Sequence, residues 1–451
     1  MAVTCWTGAA LPVGAPMWVA VSGLILGIGS RRRSVAFVLI PAAVSILSFN
    51  ARAGLEPLAD GPWSGRVQLL GEPETASGRV LVDADSAIGR VQLSVVGTAR
   101  SVVAPERAGA RFDVRGTLRP LRHPDRYASR HLRMALTVED ASNVAGRDLW
   151  RVPVDALRGA IVDAAEALPV RQRPIYTGFV IGDDRGVDAD VNETFEESGL
   201  AHLLVVSGEN VVFVAAIVSA VMARASRRTR LVGSVLALVL FAAVTGFEPS
   251  VLRAATMAII AVVGSGVGRP IEARRRLALA VTLLLILDPL LICSFGFRLS
   301  VAASAGITLL AVPIARRVRG PQWFRQVLAV TISAQLAVAP LVVPVFGPLP
   351  LASLPANVLA DPVAGLVMMW GSSIGLVAGI VGHPLADVLQ VPVEMGIWWI
   401  MTVAERCASM GLPHVGLAPM AIAVAVVVAL SSLRRLCVRH IARRRAAGVG
   451  G

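Results

Sequence analysis

Long apolar stretches alternate with short polar segments along most of the 451-residue chain. A helix that crosses a bilayer needs about twenty apolar residues, so stretches near that length predict membrane spans. About eleven stretches qualify, and this predicts a polytopic α-helical membrane protein. The predicted spans cover residues 13–30, 34–50, 202–222, 231–246, 251–268, 277–294, 298–315, 326–346, 354–380, 389–409 and 416–433.

The region between the second and third predicted spans has a different pattern. Short runs of alternating apolar and polar residues, separated by glycine and proline, predict β-strands. Five strands in about ninety residues predict a small inserted β-barrel of OB-like type, although an SH3-like barrel or a small sandwich would give nearly the same pattern. The predicted strands are Arg66–Leu70, Gly78–Val82, Gly89–Val95, Ala110–Gly116 and Met134–Val138.

A helical repeat follows these strands. Apolar positions recur at helical spacing over residues 154–168 and predict an amphipathic helix that lies on the membrane surface or against the barrel. Residues 174–200 are polar and lead into the third span. The chain therefore divides into an N-terminal transmembrane hairpin (1–50), a β domain (51–150), a helix and linker (151–200), a transmembrane domain (201–433) and a basic tail (434–451).

Composition supports lipid as the main solvent. Hydrophobic residues make up 55% of the chain and charged residues only 16%, whereas soluble domains carry about a quarter charged residues. This argues against a single soluble enzyme. All 43 basic residues are arginine, and the formal net charge is +13.

The arginines predict the topology, because short cytoplasmic loops are enriched in basic residues. If the cluster at 31–33 is cytoplasmic, the N-terminus lies outside. The later clusters near 224–230, 274–276 and 316–319 and in the tail then fall in the cytoplasm. Residues 51–200 are predicted to be outside the cell membrane. The loop near 381–388 is also predicted to be cytoplasmic, and it alone has no arginine.

Several polar residues enter segments that are otherwise apolar. His202, Ser207, Glu209 and Asn210 lie within a predicted span, where exposure of an ionisable group to lipid is costly. They predict either a water-filled path or a polar contact between helices. Gln335, Asn357 and Asp361 lie in a proline-rich stretch, Ala334–Pro362, in which we expect the helices to be broken, with Pro362 as one break. Such breaks line cavities or, alternatively, mark kinked helices.

Two arginines lie at predicted outer helix ends. Arg253 is near the N-terminal end of a helix, where both the helix dipole and the topology statistics disfavour a cation. It therefore predicts either a partner, Glu248, or an anionic ligand. Arg298 lies at another outer end, where a snorkelling side chain would also explain it.

The β domain carries a basic strip. Arginines there could hold a phosphate backbone, although a charge run is more often a solvated surface. The few aromatic residues of the domain favour phosphate contact over base stacking. The candidate phosphate-binding residues are Arg119, Arg122, Arg126, Arg130 and Arg133.

No catalytic or metal-binding motif is apparent. The four cysteines are far apart, and the six histidines form no zinc-binding pattern. There is no Walker A loop and no recognisable catalytic triad. We therefore expect neither enzymatic activity nor a cofactor.

The segment Gly199–Gly208, with the sequence GLAHLLVVSG, resembles the signature of ComEC-type competence proteins. Further matches follow in family order over about residues 175–365. They are Gly182-Asp183, Gly246 with Pro249-Ser250 and Arg253-Ala254, Asp288-Pro289-Leu290, Gly296-Phe297, Leu299-Ser300, Gln335, Pro340, Asn357 and Pro362.

This resemblance implies a cell-membrane channel for single-stranded DNA, used in natural transformation, with an OB-like outer domain. It implies a DNA receptor outside and a motor ATPase or helicase inside, and it leaves an oligomer open. Many family members continue into a metallo-β-lactamase-like domain, so we expect a separate nuclease here. The candidate DNA path comprises His202, Ser207, Glu209, Asn210, Arg253, Arg298, Gln335, Asn357 and Asp361.

The chain departs from the family pattern at Glu209-Asn210, Arg298 and Asp361, which add charge along the candidate path. Two other interpretations stay open. A proton-coupled secondary transporter of a small solute could use Glu209 or Asp361 as proton carrier, and a degenerate relative could act as a membrane scaffold.

Overall fold

The computed structural model describes residues 44–418, without residues 45, 77, 122–123, 145, 147, 267 and 417. The first predicted span, most of the second, nearly all of the last and the basic tail lie outside the described residues. Within the described part, a sheet domain precedes a helical region. Its strands are β1 (Gly61–Leu69), β2 (Glu74–Ala76), β3 (Arg79–Ser86), β4 (Gly89–Val95), β5 (Arg111–Pro120) and β6 (Leu132–Val144).

The sheet follows the alternation that predicted it. In β4, Val91, Leu93 and Val95 are buried and the residues between them are partly exposed. Strand β1 pairs antiparallel with both β5 and β3, while β3 pairs with β4 and β5 with β6. Strands β4 and β6 run parallel. Each of these five longer strands therefore has a neighbour on both sides.

The helical region follows the sheet domain in the described chain. Two short helices, α1 (Ala99–Val103) and α2 (Pro124–Tyr127), belong to the sheet domain. The others are α3 (Val152–Ala165), α4 (Arg173–Ile181), α5 (Ala189–Ser198), α6 (Gly208–Val221), α7 (Arg227–Val244), α8 (Pro249–Gly266), α9 (Ala273–Leu287), α10 (Phe295–Ala315), α11 (Gln322–Phe346), α12 (Ser353–Trp370), α13 (Leu376–Val381) and α14 (Leu385–Ser409).

Among the described residues, four helical segments are long and apolar enough to cross a membrane. They are Pro249–Gly266, Phe295–Ala315, Gln322–Phe346 and Ser353–Val381, and the last joins α12 and α13 through a π-helical turn, Gly371–Gly375. The apolar helix α6 has only 14 residues. Helices α7, α9 and α14 also match predicted spans, but each carries three or four charged side chains.

The expected break in the proline-rich stretch is observed between α11 and α12, where Pro348 and Pro350 lie, but the break expected at Pro362 is not observed. Pro340 and Pro344 lie inside α11, and Pro362 lies inside α12. A proline removes one backbone N–H, but neighbouring helices and side chains can satisfy the freed groups, so a proline in an apolar helix need not end it.

The linker is more buried than its sequence predicted. The segment 174–200 was expected to be polar, yet Ile175 to Ile181 of α4 are buried. Helix α3 is amphipathic, as predicted, but its buried residues Val154, Ile161 and Ala164 share one core with α4, α12 and α14. The apolar face of α3 is therefore covered by other helices, whereas the sequence predicted the membrane surface or the barrel.

Candidate nucleic-acid path

The signature residues form a turn between α5 and α6. Gly199 ends α5 with a φ of +75°, and a Cβ there would lie 2.4 Å from the Cβ of Ser353, so glycine is required on both counts. Ser207 caps α6, because its hydroxyl accepts a hydrogen bond from the N–H of Glu209 at 3.2 Å. Helix α6 therefore begins at Gly208, and the prediction of a span from residue 202 is wrong at its start.

His202, Glu209 and Asp361 come together beside this turn. His202 Nε2 lies 3.7 Å from Asp361 Oδ1, with side chains 54% and 34% exposed. The Glu209 carboxyl is close enough to interact electrostatically with both. The structure thus brings Asp361, which is distant in the sequence, next to His202 and Glu209 and forms one polar group with two carboxylates.

Two predicted amides lie deeper in the helical region. Asn210 is fully buried and donates to the carbonyl of Phe179 at 2.6 Å. Asn357 is 5% exposed. The side-chain oxygens of Asn210 and Asn357 have no hydrogen-bond partner among the described residues. Because buried acceptors are nearly always satisfied, these oxygens mark places where a polar ligand or water is favourable.

Arg253 is buried next to the start of α6. It is 8% exposed, its Nε donates to Ser300 Oγ at 2.7 Å, and its Nη1 contacts the sulfur of Met257 at 3.2 Å. A Cβ on Gly208 would lie 2.7 Å from Arg253 Nη2. The alternative partner, Glu248, forms no ion pair with Arg253, and the contacts of the guanidinium among the described residues are with a hydroxyl and a thioether. The positive guanidinium therefore faces the positive end of the α6 dipole.

The remaining path residues lie around the same helices. Gln335 Nε2 donates to Ser353 Oγ at 3.0 Å, which links α11 to the residue packed on Gly199. Arg298 lies over the Phe295 ring at 5.4 Å, and its Nε has no partner among the described residues. Gln335 thus joins the turn, whereas Arg298 stacks on its own helix.

The basic strip of the sheet domain is only partly available. Arg130 donates to Asp83 at 2.6 Å and lies 5.7 Å from the Tyr127 ring, and Arg133 donates to the carbonyls of Glu56 and Ile88. Burial raises the pKa of Asp83, and Arg130 partly offsets this. Arg119 is exposed on β5. Arg122 and the Arg126 side chain lie outside the described residues.

A charged network at the junction of sheet and helices was missed in the sequence. Arg158 of α3 lies 3.8 Å from Glu72 and 3.5 Å from Asp183, and Arg185 bonds both oxygens of Asp183 at 2.6 Å. Arg185 also donates to the carbonyl of Pro73 at 3.1 Å. The Asp-Asp-Arg sequence at 183–185 was the only signal, since the approach of Glu72 depends on the fold.

A cavity of about 1250 Å³ opens beside this network. Its lining mixes arginines such as Arg107 and Arg173 with carboxylates such as Glu74, Asp155 and Asp184. Mixed charge offers a polyanion little net attraction. The cavity is therefore a poorer candidate for a DNA path than the surroundings of Arg253.

A second contact joins sheet and helices. His131 Nε2 lies 2.9 Å from Asp288 Oδ2, and Asp288 also accepts from the N–H of Leu290. His131 has a φ of +58°. Asp288 belongs to one of the segments that resemble the family pattern, but no local sequence pattern indicates its partner in the sheet domain.

The described residues contain no group of three or more His, Cys, Asp or Glu side chains arranged to hold a metal ion. The polar groups gathered here can bind and screen charge.

Comparison with known proteins gives two matches. The family model described as Competence protein matches residues 179–439, which is more than half of the chain. ComE operon protein 3 from Bacillus subtilis (strain 168) is 28% identical over 250 residues, covering 54% of this chain and 32% of that protein. The match thus spans about a third of that relative's length. No solved structure gives a significant match.

Proposed function

Because this chain belongs to the competence protein family, we propose that it forms a membrane channel through which single-stranded DNA enters the cytoplasm. The observation that supports this most directly is Arg253, a buried guanidinium beside the family signature turn that has no carboxylate partner among the described residues. A phosphate of a passing strand would supply the missing negative charge.

The proposed path runs along the turn at 199–208. Arg253 offsets phosphate charge on one side, while His202 and Asp361 keep the opposite side hydrated. The carboxylates of Glu209 and Asp361 repel a polyanion. They would weaken binding and so help the strand to leave, because conduction requires sites that release what they bind.

The sheet domain would receive the strand outside the membrane. We propose that it is an OB-like barrel, since five strands that each have two neighbours, with β4 parallel to β6, fit a closed small barrel. The exposed Arg119 would contact phosphate directly, and Arg130 would do so on release from Asp83. A DNA receptor outside and a motor inside would complete the pathway.

The proton-coupled transporter is the second candidate. The cluster of His202, Glu209 and Asp361 favours it, because neighbouring ionisable groups at membrane depth are typical of proton carriers. Its substrate would be a small solute, and Glu209 or Asp361 would carry the proton.

Uptake of labelled DNA separates the two. The gene is deleted from a transformable host, and DNA protected from external nuclease is measured with the wild-type gene or the Asp361→Asn variant restored. The channel proposal predicts loss of protected DNA in the deletion and recovery with either gene, because a neutral side chain leaves the path open. Undiminished uptake in the deletion would refute the channel.

A further inference from the structure

Length and composition allow Ser353–Val381 to cross a membrane, and the arginine pattern put the loop after it in the cytoplasm. We propose instead that a lateral hairpin, formed by Ser353–Val381 and Leu385–Ser409, does not cross. It starts, turns and ends on the membrane face that carries the sheet domain, and its exposed apolar face lies in the lipid of that leaflet.

The turn of the hairpin lies close to the sheet domain. Gly379 packs so tightly on α3 that a Cβ there would lie 1.7 Å from the carbonyl oxygen of Ala160, and Gln390 donates to the carbonyl of Ala164 at 3.1 Å. Six residues before Ala164, Arg158 reaches Glu72 in the β1–β2 connection. Six helical residues rise about 9 Å.

This distance is too short for a crossing. Adding the reach of the side chains places the turn within roughly 20 Å of the sheet domain, whereas the apolar core of a bilayer is about 30 Å thick. The sheet domain and the loop at 382–384 must therefore lie on the same side of the membrane.

The start and end of the hairpin lie on that side too. Leu349–Pro350, just before the hairpin, pairs with His414–Val415, just after it. The ring of Phe346 packs against Phe295 at 5.4 Å. Phe295 follows Asp288 by seven residues, and Asp288 bonds His131 of the sheet domain at 2.9 Å.

The arginine distribution supports the same conclusion independently. Every other short loop predicted to be cytoplasmic carries an arginine cluster, whereas residues 381–388 carry none. Short loops on the outer side show no such enrichment. Removing two crossings together leaves the orientation of every other segment unchanged, so the remaining clusters still fall on one side.

The surface of α14 fits an interfacial position. One face is buried against the helical core and includes Val393, Ile397 and Ile400. Val388, Met395 and Trp398 are exposed at helical spacing, with exposed fractions of 67%, 65% and 59%. Glu394 lies near the middle of the helix, where a crossing would put it at the costly bilayer centre. In a lateral helix the carboxylate reaches the headgroups, and tryptophan favours that depth.

Labelling of single cysteines tests the side of the turn. With the four native thiols replaced by serine, Asp387→Cys is compared with Ser142→Cys in the sheet domain and Arg317→Cys in an arginine-bearing loop; all three positions are exposed. Spheroplasts are treated with a membrane-impermeant maleimide before and after permeabilisation. We expect Asp387→Cys and Ser142→Cys to label before permeabilisation. Arg317→Cys should label only after it.

Two outcomes would overturn the lateral hairpin. One is labelling of Asp387→Cys only after permeabilisation, as for Arg317→Cys. The other is no labelling of Asp387→Cys before or after permeabilisation, which would bury the turn in the bilayer. A nitroxide at Met395 tests the lipid face, because lipid exposure gives faster relaxation by oxygen than by a water-soluble nickel chelate. The reverse order would place this face in water and contradict the proposal.

These measurements are independent of DNA uptake. A protein that labels as expected but transports no DNA would retain the lateral hairpin and lose the proposed channel. A protein that takes up DNA but in which Asp387→Cys labels only after permeabilisation would retain the proposed channel and lose the lateral hairpin.

Discussion

At the scale of single residues, Arg253 is held by groups that leave its charge uncompensated. A hydroxyl and a thioether contact it, and Gly208 leaves room for its outer nitrogen. A buried cation without a partner is costly. The cost is accounted for if an anion binds there during function.

Arg253→Gln should lower DNA uptake by roughly tenfold or more, since a hydrogen bond to a charged group contributes about 1.5–3 kcal/mol. Arg253→Lys should retain part of the activity through its charge. The double variant Glu248→Gln/Arg253→Gln should be no better than Arg253→Gln, because Glu248 does not pair with Arg253. Uptake of nuclease-protected DNA is measured at equal protein abundance. Restored uptake in the double variant would mean a functional ion pair instead of phosphate contact.

Gly208→Ala should disturb the same site through packing. The added Cβ would lie 2.7 Å from Arg253 Nη2 and 2.9 Å from the Cβ of Ala254, and overpacking of this kind typically costs about 1–3 kcal/mol. Gly266→Ala is the matched control, because its Cβ would meet Leu231 only at 3.6 Å. Thermal unfolding in detergent should show a lower Tm for Gly208→Ala alone. Equal Tm values would argue against the close approach.

At the scale of elements, the β1–β2 connection is fixed to α3 and α4 by charge. Burial alone would raise the pKa of Asp183, but the hydrogen bonds and charge of Arg185, together with the charge of Arg158, hold it below its ordinary value. A carboxylate with a lowered pKa stabilises the fold above its ordinary pKa, and this contribution is lost as the pH falls through the lowered value.

Asp183→Asn should therefore loosen the contact between sheet and helices at neutral pH, by roughly 1–3 kcal/mol for a half-buried charged network. The effect should begin to shrink below about pH 4, the ordinary pKa of an aspartate, and should vanish only as the pH falls through the lowered pKa of Asp183 in the folded protein. Hydrogen exchange of residues 70–76 reports the loosening. Asp188→Asn is the control, since Asp188 and Arg171 form an exposed pair worth little. Similar exchange in both variants would contradict the role given to Asp183.

Elements also show what the sequence could predict. The strands could be predicted from the alternation of apolar and polar residues, because a strand that buries one face has an apolar residue at every second position. The start of α6 was misplaced because GLAHLLVVSG is apolar enough to continue a helix, whereas Ser207 caps the next one. The meeting of His202 with Asp361, and of Arg158 with Glu72, depends on contacts between distant segments that no local pattern records.

At the scale of the whole molecule, His131–Asp288 and the Arg158 network both join the sheet domain to the helices. The turn at 199–208 lies between the helices α8 and α12 that carry Arg253 and Asp361. If the hairpin of α12 to α14 is lateral, the crossing helices α8, α10 and α11 surround one side of this turn. The channel account requires the strand to pass the turn.

Photo-crosslinking during uptake tests that requirement most directly. A benzophenone amino acid replaces His202, which is half exposed beside the turn, or Leu236 on the exposed face of α7. Cells then take up radiolabelled DNA and are irradiated. The account predicts a crosslink between labelled single-stranded DNA and the protein at position 202 but not at position 236. Normal uptake without a crosslink at position 202, or with equal crosslinks at both positions, would contradict it.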